Sequence, residues 1–502
     1  MKASLWSSVT LSSCFLQLAT SSYWPIIMNC SMFSINLPGQ VFLPGSVQYA
    51  ASKASYFAAF ENELSPACFI QPNSTADVAE VIKLSQSDRS VSTAKLAIRS
   101  GGHTPWAGSA NIQSGITIDL SRLIEVTLNS KMNIVSVGVG NSWGNVYKFL
   151  GDKGLAIVGG RVSTVGVGGL TLGGGLSFFS AETGFVCDNV VNFEVVLASG
   201  EIVQANATSH PDLFIALKGG SNNFGVVTKI DFPTFEQGQM WGGSIFFEKS
   251  AYPSLIQSFY NFATNPTPDL KAHVIVSSAW IGGGTGELAT ANLYHTTPIA
   301  DPPSLKPFAE AQPQLQSTLR NDSLLGFTEE QSAYATNGDR QWFFTTSFRL
   351  DEQLMLDIHQ VWLDAVSGMN QTGLSIALVY QPVIKSLISN SLKAGVNSLG
   401  LNVSDGPFVV CLLNAVFTDS SLDDTISAAM LRLVGEIDSL AAKRNLSSEY
   451  KFLNYAFNSQ SVIEGYGKQS IARLKRTSEL YDPTQFFQER VPGGFKLTSA
   501  DC

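Results

Sequence analysis

Apolar positions recur every third or fourth residue over "ISAAMLRLVGEIDSLAAKR" (426–444), which predicts an amphipathic helix. Other segments change pattern faster. "ACFIQPNSTADVAEVIKLSQ" (67–86) reads as a short strand, a turn at Pro72-Asn73 and a helix capped near Ser74 to Thr75. "KLAIRSGG" (95–102) is a strand entering a glycine turn, and "GITIDLSRL" and "NIVSVGVG" are further strands, the second alternating with period 2. "SWGNVYKFLGDKG" predicts a helix, "VNFEVVLASGEIVQA" a hairpin turning at Ser199-Gly200, and "PDLFIALKGGSNNFGVVTKIDFPTF" a helix, a glycine turn and a strand.

Glycine density falls after about residue 236, and longer helical and strand patterns alternate there. The last stretch becomes turn-rich and aromatic. These shifts divide the chain into an N-terminal segment (22–65), a first domain (66–235), a second domain (236–444) and a closing segment (445–502). At 502 residues the chain exceeds one ordinary core, in keeping with that division.

Composition narrows the partners. Net charge is −9 and no run of Lys or Arg occurs, so nucleic acid and anionic membrane surfaces are excluded as partners. Lys2 precedes a moderately apolar run ending in the small residues Ala19-Thr20-Ser21, which predicts a cleaved signal peptide over 1–21 and a secreted protein. Sequons at Asn29, Asn73, Asn206, Asn321, Asn370, Asn402 and Asn445 predict N-glycosylation. No cysteine or histidine spacing suits a metal. If one disulfide forms, Cys30–Cys68 is the expected pair.

Three glycine-rich turns, near 101, 166 to 175 and 219 to 225, each end a strand or helix. The middle one has eight glycines between 159 and 175. Glycine admits positive φ and brings backbone N–H groups close to a ligand, so several such turns together suit one large anionic ligand such as a dinucleotide. Neither a Rossmann GxGxxG unit nor a GxxxxGK[ST] loop is present.

"RSGGHT" after a strand, "STVGVGGLTLGGGLS", "LASGEIV", "GGSNNFGVVT" and the terminal "NY…YDPTQFFQ…PGGFKL" resemble the berberine-bridge-enzyme-like FAD-linked oxidases of the vanillyl-alcohol-oxidase fold family, most closely a secreted fungal branch. The resemblance runs from about residue 37 to the C-terminus. It implies an α+β fold: a two-lobed PCMH-type FAD-binding domain, and a substrate domain whose antiparallel sheet is covered by helices. It implies FAD bonded covalently to His103, with Arg99, Ser100, Gly101, Gly102 and Thr104 in the same turn. Gly160, Val165, Gly166, Gly168, Gly169, Thr171, Gly173, Gly174 and Gly175 would hold the pyrophosphate and ring. Gly225 and Val227 would hold the adenine-ribose side, with Asn454 also at the cofactor.

Many relatives carry a second linkage through cysteine in a C-P-T-V-G stretch. Val162 stands at that position, so the flavin would be monocovalent. Val165 falls where relatives gate oxygen, and valine there goes with oxidases, implying O2 as acceptor. Tyr455 matches the base of several relatives, and Tyr380 and Gln381 are candidates for substrate contact on a strand facing the flavin. The implied reaction is oxidation of a small organic molecule with H2O2 as product, a fungal secondary-metabolite intermediate before an oligosaccharide. Alternatives are a flavin dehydrogenase with another acceptor and a secreted, non-catalytic flavin-binding protein.

Overall fold

The computed structural model describes residues 23–87 and 93–499, so the expected signal segment lies outside the described residues. Cys68–Ile70, Ile116–Asp119 and Leu96–Arg99 lie side by side as parallel strands, with Val41–Phe42 antiparallel on the outer edge. A parallel pair cannot be joined by a tight turn, and the helix Thr75–Ser87 supplies the crossover. Both faces of such a sheet are covered, which is why Cys68, Phe69 and Ile70 are all apolar and all fully buried.

The second lobe is a five-stranded antiparallel sheet in the order Val126–Leu128, Ile134–Gly138, Val226–Pro233, Asn192–Val196, Ile202–Asn206. Its last two strands are the predicted hairpin, and Gly200 takes the positive φ (75°) that the turn requires.

A larger antiparallel sheet occupies 240–417. Met240–Glu248, Gly286–His295, Ala272–Ile281, Ser375–Val383, Phe408–Phe417 and Arg340–Arg349 run across it in that order. Helices Tyr252–Thr264, Glu352–Val366 and Asp423–Lys443 cover one face. On the last of these Ile426, Ala429, Met430, Leu433, Val434, Ile437 and Ala441 are buried, the stripe that the sequence pattern predicts. Each large apolar side chain so buried contributes about 1.5–3 kcal/mol. The architecture is mixed, two sheet-based lobes and a helix-covered antiparallel sheet, the arrangement expected from the resemblance.

The closing segment returns to the first lobe. Leu96 N–H donates to Arg490 O (2.7 Å), and the side chains of Asn222 and Asn223 donate to the carbonyls of Gly493 and Phe495. The stretch read as turn-rich also holds a 15-residue helix, Gly467–Tyr481. Cys30 and Cys68 are joined in a disulfide that closes 38 residues, worth about 4 kcal/mol in loop-closure entropy. Cys187 and Cys411 are buried free thiols. Among the described residues no group of side chains could hold a metal ion, and no helix is long and apolar enough to cross a membrane.

Candidate active site

The first and second glycine turns meet backbone to backbone. A Cβ on Gly101 would stand 2.5 Å from Gly166 Cα, and one on Gly166 would stand 2.6 Å from Gly101 Cα. Only glycine at both positions allows this approach. Ser100 fastens the contact, its Oγ donating to Val139 O (2.6 Å) and accepting from Gly168 N–H (3.3 Å). Gly102 has φ +64°, and a Cβ there would run into the Tyr56 ring and Arg99. The N–H groups of Gly101, Gly102 and His103 have no partner among the described residues. Consecutive free N–H groups around a left-handed glycine form an anion-binding concavity of the kind a pyrophosphate fills. The residues present therefore fit FAD.

His103 leaves this turn and stacks on Phe57, ring centroids 3.7 Å apart at 14°. Its Nε2 lies 3.4 Å from Thr164 Oγ1. The ring is half-buried at the surface but tightly surrounded by protein, and that burial lowers its pKa to about 4. The imidazole is thus neutral near pH 7 and keeps a nitrogen lone pair, the requirement for a nucleophile.

Arg161, in the glycine-rich run, reaches the opposite wall. Trp143 and Tyr147 form the shelf below it: the Trp143 ring fills the space where Gly159 and Gly160 lack side chains, and Tyr147 Oη donates to Gly160 O (2.7 Å). From this shelf Arg161 Nη2 donates to Tyr455 Oη (2.9 Å), and Nη1 lies 3.0 Å from His273 Nε2. Burial, with the Arg161 charge added, pushes the His273 pKa well below the ordinary histidine range, so the ring accepts as a neutral imidazole. Gln381 Nε2 gives Tyr455 a second hydrogen bond (2.9 Å). The phenolic oxygen thus receives two donors, one of them a permanent cation.

A line of rings joins the two ends of the site. Phe57 lies 6.2 Å from Phe343, and Phe343 lies 6.0 Å from Tyr455. His103 and Tyr455 are therefore joined by a continuous run of packed rings, and Phe343 in that run stands on the same face of the large sheet as Gln381.

The other expected site residues divide by position. Thr104 is half-buried in the His103 turn, and Val165 and Val162 lie half-buried beside Thr164. Gly169 is exposed, with open space where a Cβ would stand. Arg99 points under the turn: its guanidinium donates to Ser52 O and Ser55 and lies over the Tyr56 ring, 3.9 Å from the centroid. Thr171 back-bonds to Val167 O inside a short helix, Val167–Leu172, that the glycine content disguises. Gly173 packs against Asn454, Gly174 against Leu399 and Gly175 against Leu170 and Val186. Gly225 packs on Val195, and Val227 lies buried in the five-stranded sheet. Asn454 spends its amide on the glycine run, accepting from Gly175 N–H (3.1 Å) and donating to Gly169 O and Leu170 O, so it anchors Tyr455 to that loop.

One expectation is corrected. Tyr380 does not face Tyr455: it is fully buried, and its hydroxyl donates to Met355 O in the helix layer. Its neighbour Gln381 points the other way because strand side chains alternate. Arg161, His273 and Phe57 were not expected at the site. The only available signal was a lone arginine within a glycine-rich run.

Residues 66–206 match the FAD-binding domain family. The chain is 37% identical over 466 residues to the FAD-dependent monooxygenase tpcD of Cochliobolus heterostrophus, covering 90% of this chain and 89% of that one. It is 33% identical to the FAD-dependent monooxygenase drtC of Aspergillus calidoustus, covering 91% and 88%. Among solved structures, the carbohydrate oxidase of Microdochium nivale superposes with a TM-score of 0.73 at 21% identity, covering 93% of this chain and 98% of that one. The glucooligosaccharide oxidase of Acremonium strictum, described with a 6-S-cysteinyl, 8α-N1-histidyl FAD, gives 0.74 at 18% identity, covering 93% and 99%. The chain belongs to the family of these fungal FAD-dependent monooxygenases, FAD-dependent oxidoreductases by their FAD-binding domain, and shares the fold of the carbohydrate and oligosaccharide oxidases.

Proposed function

We propose that the protein oxidises a small organic molecule, a fungal secondary-metabolite intermediate, with FAD bonded to His103, Tyr455 as the base and O2 as acceptor. The observation that carries this reading is the pair of donors, Arg161 and Gln381, converging on Tyr455 Oη. When bound, FAD supplies the redox chemistry, taking up two electrons from the substrate and returning them to an acceptor. The chain supplies the rest. Gly101, Gly102 and His103 offer N–H groups to the pyrophosphate. His103 supplies a neutral nitrogen for the covalent bond, and Val162, lacking sulfur, limits the attachment to that one bond. Tyr455, acting as its phenolate, takes the substrate proton and becomes neutral, and Arg161 and Gln381, which donate to its oxygen, hold that phenolate in place before the transfer.

The names of the relatives favour a second reading, insertion of an oxygen atom into the substrate. One experiment separates the two. Acid precipitation of the secreted protein should leave the yellow colour in the pellet, and His103→Ala should release or abolish it. Turnover under 18O2 should then yield one H2O2 per substrate oxidised and no label in the organic product; label in that product establishes monooxygenation instead.

A further inference from the structure

Tyr455 is held through its neighbours in the chain. It ends the short turn Leu453–Tyr455, whose own hydrogen bonds are local: Tyr455 N–H donates to Phe452 O (2.9 Å) and Ala456 N–H to Leu453 O (3.2 Å). One such turn has little stability of its own, so its orientation depends on where the flanking residues are fastened. Asn454, before the base, spends its amide on Gly169 O, Leu170 O and Gly175 N–H in the glycine run. Ala456, after it, accepts at its carbonyl from Trp106 Nε1 (3.2 Å), across 350 residues of chain. Phe457 N–H donates to Gln460 Oε1 (3.0 Å), and the same carboxamide pairs with the N–H and C=O of Thr345 in the large sheet (3.0 and 2.7 Å).

Trp106 stands three residues after His103, and the link between them is stiff. Pro105 has a fixed φ, and Thr104 before it is restricted to extended backbone. Beyond Trp106 the loop is fastened again, where Glu61 accepts from the N–H groups of Gly108 (3.1 Å) and Ala110 (2.6 Å). The indole is 5% exposed and meets Phe495 edge to face, ring centroids 6.0 Å apart. Any large apolar side chain would serve that packing. The buried N–H needs an acceptor as well, and the acceptor it has is the carbonyl next to the base. A displacement of the His103 turn is therefore passed to Tyr455 through three residues and one hydrogen bond. At the far end Tyr455 Oη has to stay within reach of Arg161 Nη2 and Gln381 Nε2, both 2.9 Å away.

We propose that Trp106 is a positioning residue for Tyr455, coupling the loop that anchors the cofactor to the turn that carries the base. With the His103 loop fixed by its attachment, the turn is held in register; with that loop free, the turn loosens. This rests on the reading above in taking His103 as the attachment point and Tyr455 as the base, and adds the residue that makes one depend on the other.

The test is a double-mutant cycle in the full-length, flavin-loaded protein with Trp106→Phe, Tyr455→Phe and both together, joined to hydrogen–deuterium exchange of the peptide 452–457. Trp106→Phe keeps an aromatic body against Phe495 and removes the N–H. With a substrate found by oxygen-uptake screening it should lower kcat by about 10–10²-fold at near-constant KM, as a displacement of about 1 Å does. It should also move the pH profile of kcat toward higher pH, because the phenolate loses aligned donors. In the Tyr455→Phe background the same change should cost less than about twofold, since a residue acting through Tyr455 has nothing left to position. Exchange at 452–457 should rise at least about tenfold both in Trp106→Phe and in flavin-free His103→Ala, as for loss of one buried hydrogen bond. The helix Asp423–Lys443 should keep its protection in both. Equal kcat losses in the two backgrounds overturn the proposal, as does exchange at 452–457 that ignores either variant. If Trp106→Phe does not fold, wild type against flavin-free His103→Ala still decides by exchange. Tyr455→Phe with wild-type activity sinks the base reading instead, and a preparation without flavin sinks the cofactor reading; in either case exchange in Trp106→Phe against wild type, which needs no substrate, decides whether Trp106 holds the turn.

Discussion

Arg161 donates to the hydroxyl of Tyr455 across 2.9 Å although 294 residues of chain separate them. One comes from a glycine-rich loop of the FAD lobe, the other from a short turn (Leu453–Tyr455) in the closing segment. Gln381, from the large sheet, completes the group. Three separate parts of the chain thus contribute to one oxygen atom, and the site exists only when all three have docked.

Tyr455→Phe removes that oxygen and keeps the ring against Phe343 and Phe452. The fold and flavin content should be unchanged, while kcat for a substrate found by oxygen-uptake screening falls by about 10²–10⁴, the usual contribution of a general base. Activity within a few-fold of wild type would remove Tyr455 from the proton-transfer step.

Gly101→Ala forces a methyl group into the backbone of Gly166, which cannot yield as a side-chain tip would. Overpacking of this kind costs about 1–3 kcal/mol, and more where backbone is the obstacle. A lower Tm together with loss of bound flavin is expected, read by thermal melting and absorbance. Gly169→Ala is the control. Open space awaits its Cβ, so Tm should hold or rise, and any flavin lost from that variant reports contact with the cofactor rather than damage to the fold.

These contacts also show what could be read without coordinates. Periodic segments such as 423–443 and the 192–206 hairpin are legible because their pattern is local. The glycine turns are legible as ligand loops, but the reason for their number is not. Gly159 and Gly160 make room for Trp143, Gly175 for Leu170 and Val186, and only Gly101, Gly102 and Gly166 shape the anion nest. Tyr380 and Gln381 are adjacent on a strand, so only one of them can face Tyr455. Sequence carries no sign of which, because the choice depends on the register against Val410 and Cys411. Arg161 needed a partner 294 residues away to acquire meaning.

The sequons make a selective prediction about export. Among the six whose side chains are described, Asn73, Asn321, Asn370, Asn402 and Asn445 are exposed. Asn206 is half-buried, its amide donating to Asn192 Oδ1 (3.1 Å) and its oxygen accepting from Thr208 and Ser209. Expressed through a secretory route, the protein should carry glycans on the exposed set and leave Asn206 bare. Peptide mapping after enzymatic deglycosylation reads this directly, and a glycan on Asn206 with the others empty would contradict it.

Two buried groups give the stability a defined pH dependence, with opposite signs. His273 has a folded pKa pushed well below the unfolded value near 6.5, by burial first and the Arg161 charge second. Below about pH 6.5 the unfolded chain takes up a proton that the folded protein refuses, so this group lowers stability as pH falls. Glu61 behaves in the reverse way. It is fully buried, accepts from the N–H groups of Gly108 (3.1 Å) and Ala110 (2.6 Å), and burial raises its pKa to about 7. Between its ordinary value of 4.5 and about 7 the folded protein holds a proton that the unfolded chain releases, so this contribution is present at low pH and fades as pH rises through 7. Melting curves from pH 5 to 8, on the order of the window the two groups span, should therefore change shape in opposite senses in two variants. His273→Gln, which keeps an acceptor for Arg161, should lose part of the acid-side decline. Glu61→Gln, which keeps one acceptor for the 108–110 loop but has no charge to bury, should lose part of the decline toward neutral pH. A Glu61→Gln protein whose Tm tracks wild type in parallel across the whole range would mean that the carboxyl keeps its ordinary pKa despite its burial, and that the backbone donors around it outweigh desolvation.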